Sequence, residues 1–348
     1  MKFGTSGVRG LVVDMTDPAC AAWVSGFLRH LRASGVPPTA VLVGRDRRPS
    51  SPRIARACAA AIAAEGLTAL DAGIVPTPAL ALAAAARGMP AVMVTGSHIP
   101  FDRNGLKFYR PDGEITKADE AGILAARPEP TALPAATGAP VAIGEAYLER
   151  NVGFFSEGAL RGLRVGVYRH SAAGRDIVAA ALERLGAEAV PIGESETFVP
   201  IDTEAVSYTH LTLPTRAALL QMLALLVEAA RSGRSVSAVM ATLPPRATAS
   251  GRLEAVPEAA SRALIARLEA TAAARDALGA RVAGSPVAAV DTTDGLRMTL
   301  ESGEILHLRP SGNAPELRCY AEAEVEARAT ALTEATLAAV RALLAEAP

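Results

Sequence analysis

Between residues 17 and 34 the large apolar side chains Trp23, Phe27 and Leu31 recur at intervals of four. That spacing predicts one helix with a single buried stripe, entered through Asp17-Pro18 as cap and first turn. The same periodicity predicts helices over residues 54–65, 80–86, 177–185, 216–231, 257–278 and 332–345. Short, wholly apolar runs at 40–43 and 92–94 read as buried strands, and 163–168 (LRVGVY) and 188–192 repeat the strand–helix–strand order as a second α/β unit. Residues 296–300 (LRMTL) alternate apolar and polar, and with 288–291 and 305–308 they read as strands of an antiparallel sheet. Pro128, Pro130, Pro134 and Pro140 crowd one stretch without periodicity, so a linker is placed there and the first domain ends near residue 135. Trp23 is assigned to the core, His30 to the surface, and His170, alone in a strand-to-helix loop, to a structural role.

Composition narrows this picture. The chain has 348 residues, 50% hydrophobic but only 4% aromatic, so it holds two to three domains with cores of Ala, Val and Leu. A formal net charge of −1 supplies no field for nucleic acid or an acidic membrane, and neither partner is expected. Cys20, Cys58 and Cys319 lie far apart with no C-x-x-C, which points to neither a disulfide framework nor zinc. The opening MKFGTSGVRG is no signal peptide, and the most apolar window, 74–94, is interrupted by Pro76, Pro78, Arg87 and Pro90. A cytoplasmic location is expected.

Four stretches carry candidate chemistry. In VTGSHIPFDRNGLKFY (residues 94–109) the chain leaves a strand at Thr95, exposes Ser97 beside His98, turns at Asn104-Gly105 and returns as a strand bearing Lys107. A serine between a histidine and a following lysine, with no G-x-S-x-G elbow and no triad spacing, suits phosphoryl rather than acyl transfer and makes a serine hydrolase remote. In FGTSGVRG (3–10) glycines at every third position would let backbone N–H groups turn inward as an anion nest beside Arg9. GRDRRPSS (44–51) places Arg45 and Arg48 between a strand and a helix start. In RPSGNAPE (309–316) Arg309, Ser311, Gly312 and Asn313 converge as a compact dianion cradle.

Together these motifs resemble those of the α-D-phosphohexomutases, the phosphoglucomutase/phosphomannomutase superfamily: T-G-S-H-I-P-x-x-x-N-G-x-K as its phosphoserine loop, FGTSGVRG as its opening, and R-P-S-G-N-x-P-E as its phosphate-binding loop. The resemblance implies tandem α/β/α domains followed by a C-terminal α+β domain. It implies that Ser97 exchanges a phosphoryl group with a hexose phosphate through a hexose bisphosphate. Arg9, Lys107 and His98 complete the catalytic set, with His98 orienting the loop. Arg45 and Arg48 orient the serine loop, and Arg309, Ser311, Gly312 and Asn313 grip the phosphate that is not reacting. The T-G-S-H-I-P form leans towards phosphomannomutase.

One stretch departs from this pattern. VSYTHLTLPT (206–215) lacks the Ala, Gly and Arg that dominate elsewhere; its alternation reads as an edge strand ending at Pro214, and it also resembles one reading frame of an adaptor used to build sequencing libraries. The implied chain is internally truncated. Residues 1–135 form domain I and 136–205 the start of domain II. Residues 206–255 hold the seam and a remnant of domain III, and 256–348 form domain IV. The family holds Mg²⁺ on D-G-D-G-D-R, with the phosphate on Ser97 as a further ligand. No D-x-D-x-D occurs here, and Asp291-Thr292-Thr293-Asp294-Gly295 reads as a turn. The chain as written is therefore expected to be inactive or nearly so, and a sugar-phosphate binder without turnover is the alternative.

Overall fold

The structure is a computed structural model and describes residues 1–3, 7–97, 99–199, 218–243, 246–293, 295–310 and 316–345. The chain divides into two units, Met1–Val239 and Met240–Pro348.

The first unit runs β1 (Lys2–Phe3), β2 (Gly7–Leu11), α1 (Asp17–Ala33), β3 (Ala40–Arg45), α2 (Ser51–Ala64), β4 (Thr68–Ile74), α3 (Thr77–Arg87), β5 (Ala91–Val94), β6 (Arg103–Arg110), β7 (Gly113–Glu114), α4 (Lys117–Ala126) and β8 (Ala139–Pro140). It continues with α5 (Gly144–Val152), β9 (Arg164–Tyr168), α6 (Arg175–Arg184), β10 (Glu188–Ile192), α7 (Leu219–Ser232) and α8 (Val236–Met240). The main sheet is ordered β1-β2-β6-β5-β3-β4-β8, with β7 paired to β6. β5, β3, β4 and β8 are mutually parallel, whereas β1, β2 and β6 join antiparallel.

Apolar cores on both faces make this an α/β/α sandwich. Val41, Val43, Val92, Val94, Leu106 and Phe108 pack under Trp23, Phe27 and Leu31 of α1 and Ile54, Cys58 and Ile62 of α2. Leu42, Ala91, Met93 and Tyr109 face the other way and pack with α3, α5, α6 and α7. A strand buried on both faces reads as an unbroken apolar run. α1 begins where Thr16 Oγ1 accepts from Ala19 N at 3.3 Å, with Pro18 in the first turn. β9 and β10 form a separate two-stranded parallel sheet.

The second unit is an antiparallel sheet with helices packed against it, ordered β11-β15-β14-β13-β12. Its elements are β11 (Ala247–Glu254), α9 (Glu258–Ala270), α10 (Ala272–Ala283), β12 (Val287–Asp291), β13 (Leu296–Leu300), β14 (Ile305–Pro310), β15 (Glu316–Ala323) and α11 (Glu326–Ala345). Strict alternation buries Leu317, Cys319, Ala321 and Ala323 of β15 against Leu264, Leu268, Leu332 and Val340. β11 lies within the segment expected as the domain III remnant, yet it pairs with β15 along its whole length.

Several local expectations are corrected. Asn104-Gly105 is not a turn: both lie inside β6, and the reversal precedes them, where Arg103 N donates to Pro100 O at 3.1 Å. Asn104 is buried, which is why an Asn-Gly pair does not turn here. Gly7–Leu11 is a strand in register with Arg103 to Lys107, and Gly4, Thr5 and Ser6 of the expected anion nest lie outside the described residues. The helix expected over 257–278 breaks at Thr271, whose extended backbone (φ −130°, ψ 108°) separates α9 from α10. His30 is no surface residue: its Nε2 lies 2.8 Å from Asp119 Oδ1, closing α1 onto α4. Strands β4, β11 and β15 had no expectation. The seam at 206–215 lies outside the described residues.

Candidate active site

Residues that follow β3, β4, β5, β9 and β10 at their C-terminal ends converge on one cleft of about 200 Å³. Its lining includes Asp46 after β3, Pro76 and Thr77 after β4, Thr95 and Ser97 after β5, His170 to Gly174 after β9, and Phe198 after β10. Open α/β sheets bind ligands at the carboxyl ends of their strands, because loops diverge there and leave a crevice.

Ser97 sits at the rim with a left-handed backbone, φ 52°, and is exposed, whereas Thr95 and Gly96 before it are buried. A non-glycine residue in that region costs roughly 1–3 kcal/mol, which the surroundings must supply. Arg48 supplies much of it. Its buried guanidinium donates to the carbonyls of Ser97 (3.2 Å), Ile99 (2.6 Å), Pro100 (2.8 Å) and Arg103 (2.9 Å). It also stacks on Phe198, with Cζ 4.6 Å from the ring centroid. Burial lowers the pKa of this guanidinium, and Asp46 and Asp102 oppose that shift.

Gly96 is required by the same packing. A Cβ there would fall 2.3 Å from Arg48 Nε and 2.4 Å from its Cζ.

Asp46 ties the loop from the other side. Its Oδ1 accepts from Ser51 Oγ at 2.5 Å and Arg48 N at 3.0 Å, and its Oδ2 from Thr95 Oγ1 at 2.9 Å and Gly96 N at 3.2 Å. Thr95 Oγ1 in turn accepts from Ser97 N at 3.0 Å. Asn104 extends the net, donating to Ser50 Oγ at 2.8 Å and Ser51 Oγ at 3.0 Å. Sequence reasoning named neither Asp46 nor Asn104 as a site residue. The strand-to-loop position of Asp46 was a usable signal. The burial of Asn104 was not visible in the sequence.

Strand register settles which face Arg9 and Lys107 occupy. Arg9 pairs with Gly105, and Lys107 pairs with both Gly7 and Met93. Paired residues point to the same side and alternate residues share a face. Arg9, Lys107 and Met93 therefore share one face, and Met93 lines the cleft. Arg45 ends β3 opposite Val94 and Ile74. His98 lies outside the described residues.

The far wall is the loop after β9. Arg175, buried at the start of α6, donates to the carbonyls of Arg169 (3.0 Å), His170 (3.0 Å) and Ser195 (2.8 Å) and to Glu196 (2.9 Å). Val199 N donates to Ser171 Oγ at 2.8 Å. Asp176 draws this wall to the serine side, accepting from Arg47 at 3.2 Å and Arg169 at 2.6 Å. His170 packs against Tyr168 with ring centroids 4.9 Å apart and planes at 43°, and its buried Nδ1 meets no hydrogen-bond partner among the described residues. Burial and then the Arg175 charge hold its imidazole below the usual pKa, favouring the neutral ring.

In the second unit Arg309 and Pro310 end β14, and Ser311, Gly312 and Asn313 lie outside the described residues. Thr293 N donates to Asp291 Oδ1 at 2.8 Å, a local Asx turn. Among the described residues no group of three or more His, Cys, Asp or Glu side chains is arranged to hold a metal ion. Mg²⁺ needs an octahedral shell of oxygens anchored by carboxylates. With no D-x-D-x-D in the sequence, the residues described do not fit such a site.

The fold has counterparts among known proteins. The family model for phosphoglucomutase/phosphomannomutase α/β/α domain I matches residues 1–131, and that for the C-terminal domain matches residues 255–339. A phosphomannomutase of Sinorhizobium fredii is 33% identical, covering 93% of this chain and 95% of that protein. One from Salmonella muenchen is 32% identical, covering 100% and 97%. A phosphoglucomutase/phosphomannomutase family structure from Burkholderia thailandensis superposes with a TM-score of 0.70 at 20% identity, covering 99% of this chain and 98% of that one. The chain belongs to the phosphoglucomutase/phosphomannomutase family, the phosphohexomutases, and its class is therefore that of the mutases, which are isomerases. The Sinorhizobium alignment runs over 452 positions, more than the 348 residues here, so that relative carries positions without a counterpart in this chain.

Proposed function

We propose that the cleft is the phosphoryl-transfer site of a phosphomannomutase-like phosphohexomutase, with Ser97 as the residue that carries the phosphoryl group. The observation that carries this reading is an exposed serine hydroxyl on a left-handed backbone, held at the carboxyl end of a parallel strand by Arg48 and Asp46. In the forward half-reaction the Oγ–P bond of phosphorylated Ser97 breaks, a P–O bond forms to the free hydroxyl of a hexose phosphate, and that hydroxyl's proton ends on the departing Ser97 Oγ. The hexose bisphosphate reorients, and its other phosphoryl returns to Ser97. Arg9 and Lys107, on one sheet face, offset the charge that builds on the transferred group, which is where such catalysis gains most. His98 orients the loop. Arg309 with Ser311, Gly312 and Asn313 holds the distal phosphate.

The chain as written turns over slowly or not at all. Its relatives' added length and the adaptor-like run at 206–215 support a lost central block, flanked by domain I, the start of domain II, a short remnant and domain IV. Mg²⁺, where bound, would neutralise charge at the transferred phosphoryl. Binding of sugar phosphate without turnover is the second reading, favoured by the missing D-x-D-x-D. Incubation with glucose 1,6-bisphosphate and Mg²⁺, followed by intact mass and a coupled mutase assay, separates the two. A gain of one phosphoryl group mapped to Ser97 supports the transfer site. Hexose-phosphate binding with an unmodified Ser97 supports the binder.

A further inference from the structure

Two buried arginines hold the two walls of the cleft, and one aromatic ring joins the walls. On the serine side Arg48 gathers the carbonyls of Ser97, Ile99, Pro100 and Arg103. On the far side Arg175 donates to Ser195 O and Glu196, in the segment after β10. Val199 N donates to Ser171 Oγ at 2.8 Å, so residues 195–199 are fastened at both ends. Phe198 lies between these fastenings, lines the cleft and brings its ring to 4.6 Å from Arg48 Cζ. A second contact crosses beside it, from Asp176 to Arg47 at 3.2 Å. Magnitudes separate the two. The Arg47 and Asp176 side chains are 21% and 59% exposed, and a solvent-screened pair contributes little. Phe198 instead covers a guanidinium that is out of water, where a cation on a ring face gains most. A dry guanidinium also holds its carbonyls more tightly, because hydrogen bonds strengthen where water is excluded.

Resting on the reading of Ser97 as the phosphoryl carrier, we infer that Phe198 is a positioning residue for Ser97: fastened to the far wall by Arg175 and Ser171, its ring covers Arg48 and so steadies the loop that presents the serine. Phe198 acts through Arg48 and needs no contact with the reacting atoms. The serine loop is local as a motif, but its hold is completed by the segment after β10.

The test is amide hydrogen exchange on the full chain in two variants. Phe198→Leu keeps apolar bulk without the ring, and Phe198→Tyr keeps the ring. Ser97 N and Ile99 N, bonded to Thr95 Oγ1 and Gly96 O, report the serine loop. Val199 N, bonded to Ser171 Oγ, reports the far wall. Loss of a desolvated cation–ring contact shifts the local opening equilibrium by about 5- to 30-fold. The expected result in Phe198→Leu is acceleration by that factor at Ser97 and Ile99, with Val199 within about twofold of wild type. Phe198→Tyr should stay within about twofold at all three amides. Unchanged exchange at Ser97 and Ile99 in Phe198→Leu overturns the inference. Equal acceleration at Val199 makes Phe198 ordinary packing of its own wall, and equal acceleration in Phe198→Tyr removes the ring as the cause; either result also overturns it. Intact mass of the wild-type chain after glucose 1,6-bisphosphate tests the underlying reading separately. No phosphoryl group on Ser97 sinks that reading, and with it the catalytic purpose of the hold, whatever the exchange rates.

Discussion

Arg48→Met is the most direct probe of how the serine loop is held. Methionine preserves most of the length and apolar contact of the side chain but deletes the charge and every donor. Four loop carbonyls, spaced from Ser97 to Arg103, would lose their partner together, and Asp46 would lose its neighbouring cation, 3.5 Å away. A hydrogen bond from a charged donor contributes about 1.5–3 kcal/mol. Four such bonds do not add, because they share one group and because deleting a buried guanidinium also relieves its desolvation. Removing one partner of a buried ionic cluster typically costs about 3–5 kcal/mol, and that is the expected loss here. It equals a factor of roughly 10² to 5 × 10³ in the local opening equilibrium. Hydrogen exchange reads this directly. The Gly96, Ser97, Ile99 and Arg103 amides are each bonded within the net, to Asp46, Thr95 Oγ1, Gly96 O and Pro100 O. They should accelerate by that factor, while amides of β3 change little. Arg48→Lys should recover only part, since one ammonium cannot span four carbonyls as a planar fork does. Acceleration below about threefold in Arg48→Met would refute the reasoning.

Gly96→Ala should loosen the same loop by roughly 1–3 kcal/mol, because its methyl group must push aside the Arg48 guanidinium. In a double-mutant cycle its cost should shrink once Arg48 is already Met. Asp119 tests the packing of α4. Burial alone would raise its pKa, but the Thr116 backbone N–H, His30, the Thr116 hydroxyl and Arg110 together hold it below the ordinary carboxylate range. The folded state then keeps Asp119 ionised where the unfolded chain takes up a proton. Its stabilising contribution is present above the ordinary value of about 4 and is lost as pH falls through the lower folded value. Melting temperatures of wild type and Asp119→Asn should therefore differ most near neutrality and converge on acidification; a constant gap across the range would count against the assignment. Amplifying the source locus across codons 200–220 should yield a sequence without VSYTHLTLPT and with an acidic metal loop. Recovery of the seam unchanged from source DNA would remove the case for a lost block.

Much of the first unit was legible because its residues act locally. The spacing of Trp23, Phe27 and Leu31 needs only a helix with one buried face, and the apolar run before Thr95 needs only a strand covered on both sides. The Ser97 loop and the 309–316 loop were equally plain as motifs, since a phosphate loop requires particular residue types within a few positions. Strands that alternate small and polar residues were not legible. β11 reads ATASGRLE, and only its pairing with β15 identifies it. Asn104-Gly105 has the composition of a turn, and burial between neighbouring strands overrode that local preference. His30 looked like a surface residue until α4 brought Asp119 to it from 89 positions away.

The sequence by itself determined which chemical groups are present, and also that three spaced metal carboxylates are not. Tertiary structure alone decided that Arg48 and Asp46 grip the serine loop from opposite sides, that Arg9 and Lys107 share a sheet face with the cleft, and that His170 stands across from Ser97. The physical reason lies in the range of the interactions. Helical periodicity and loop motifs are set within a few residues. Hydrogen bonds such as Arg48 to Ile99 and Arg47 to Asp176 join positions 51 and 129 residues apart, so they exist only once the sheets have formed.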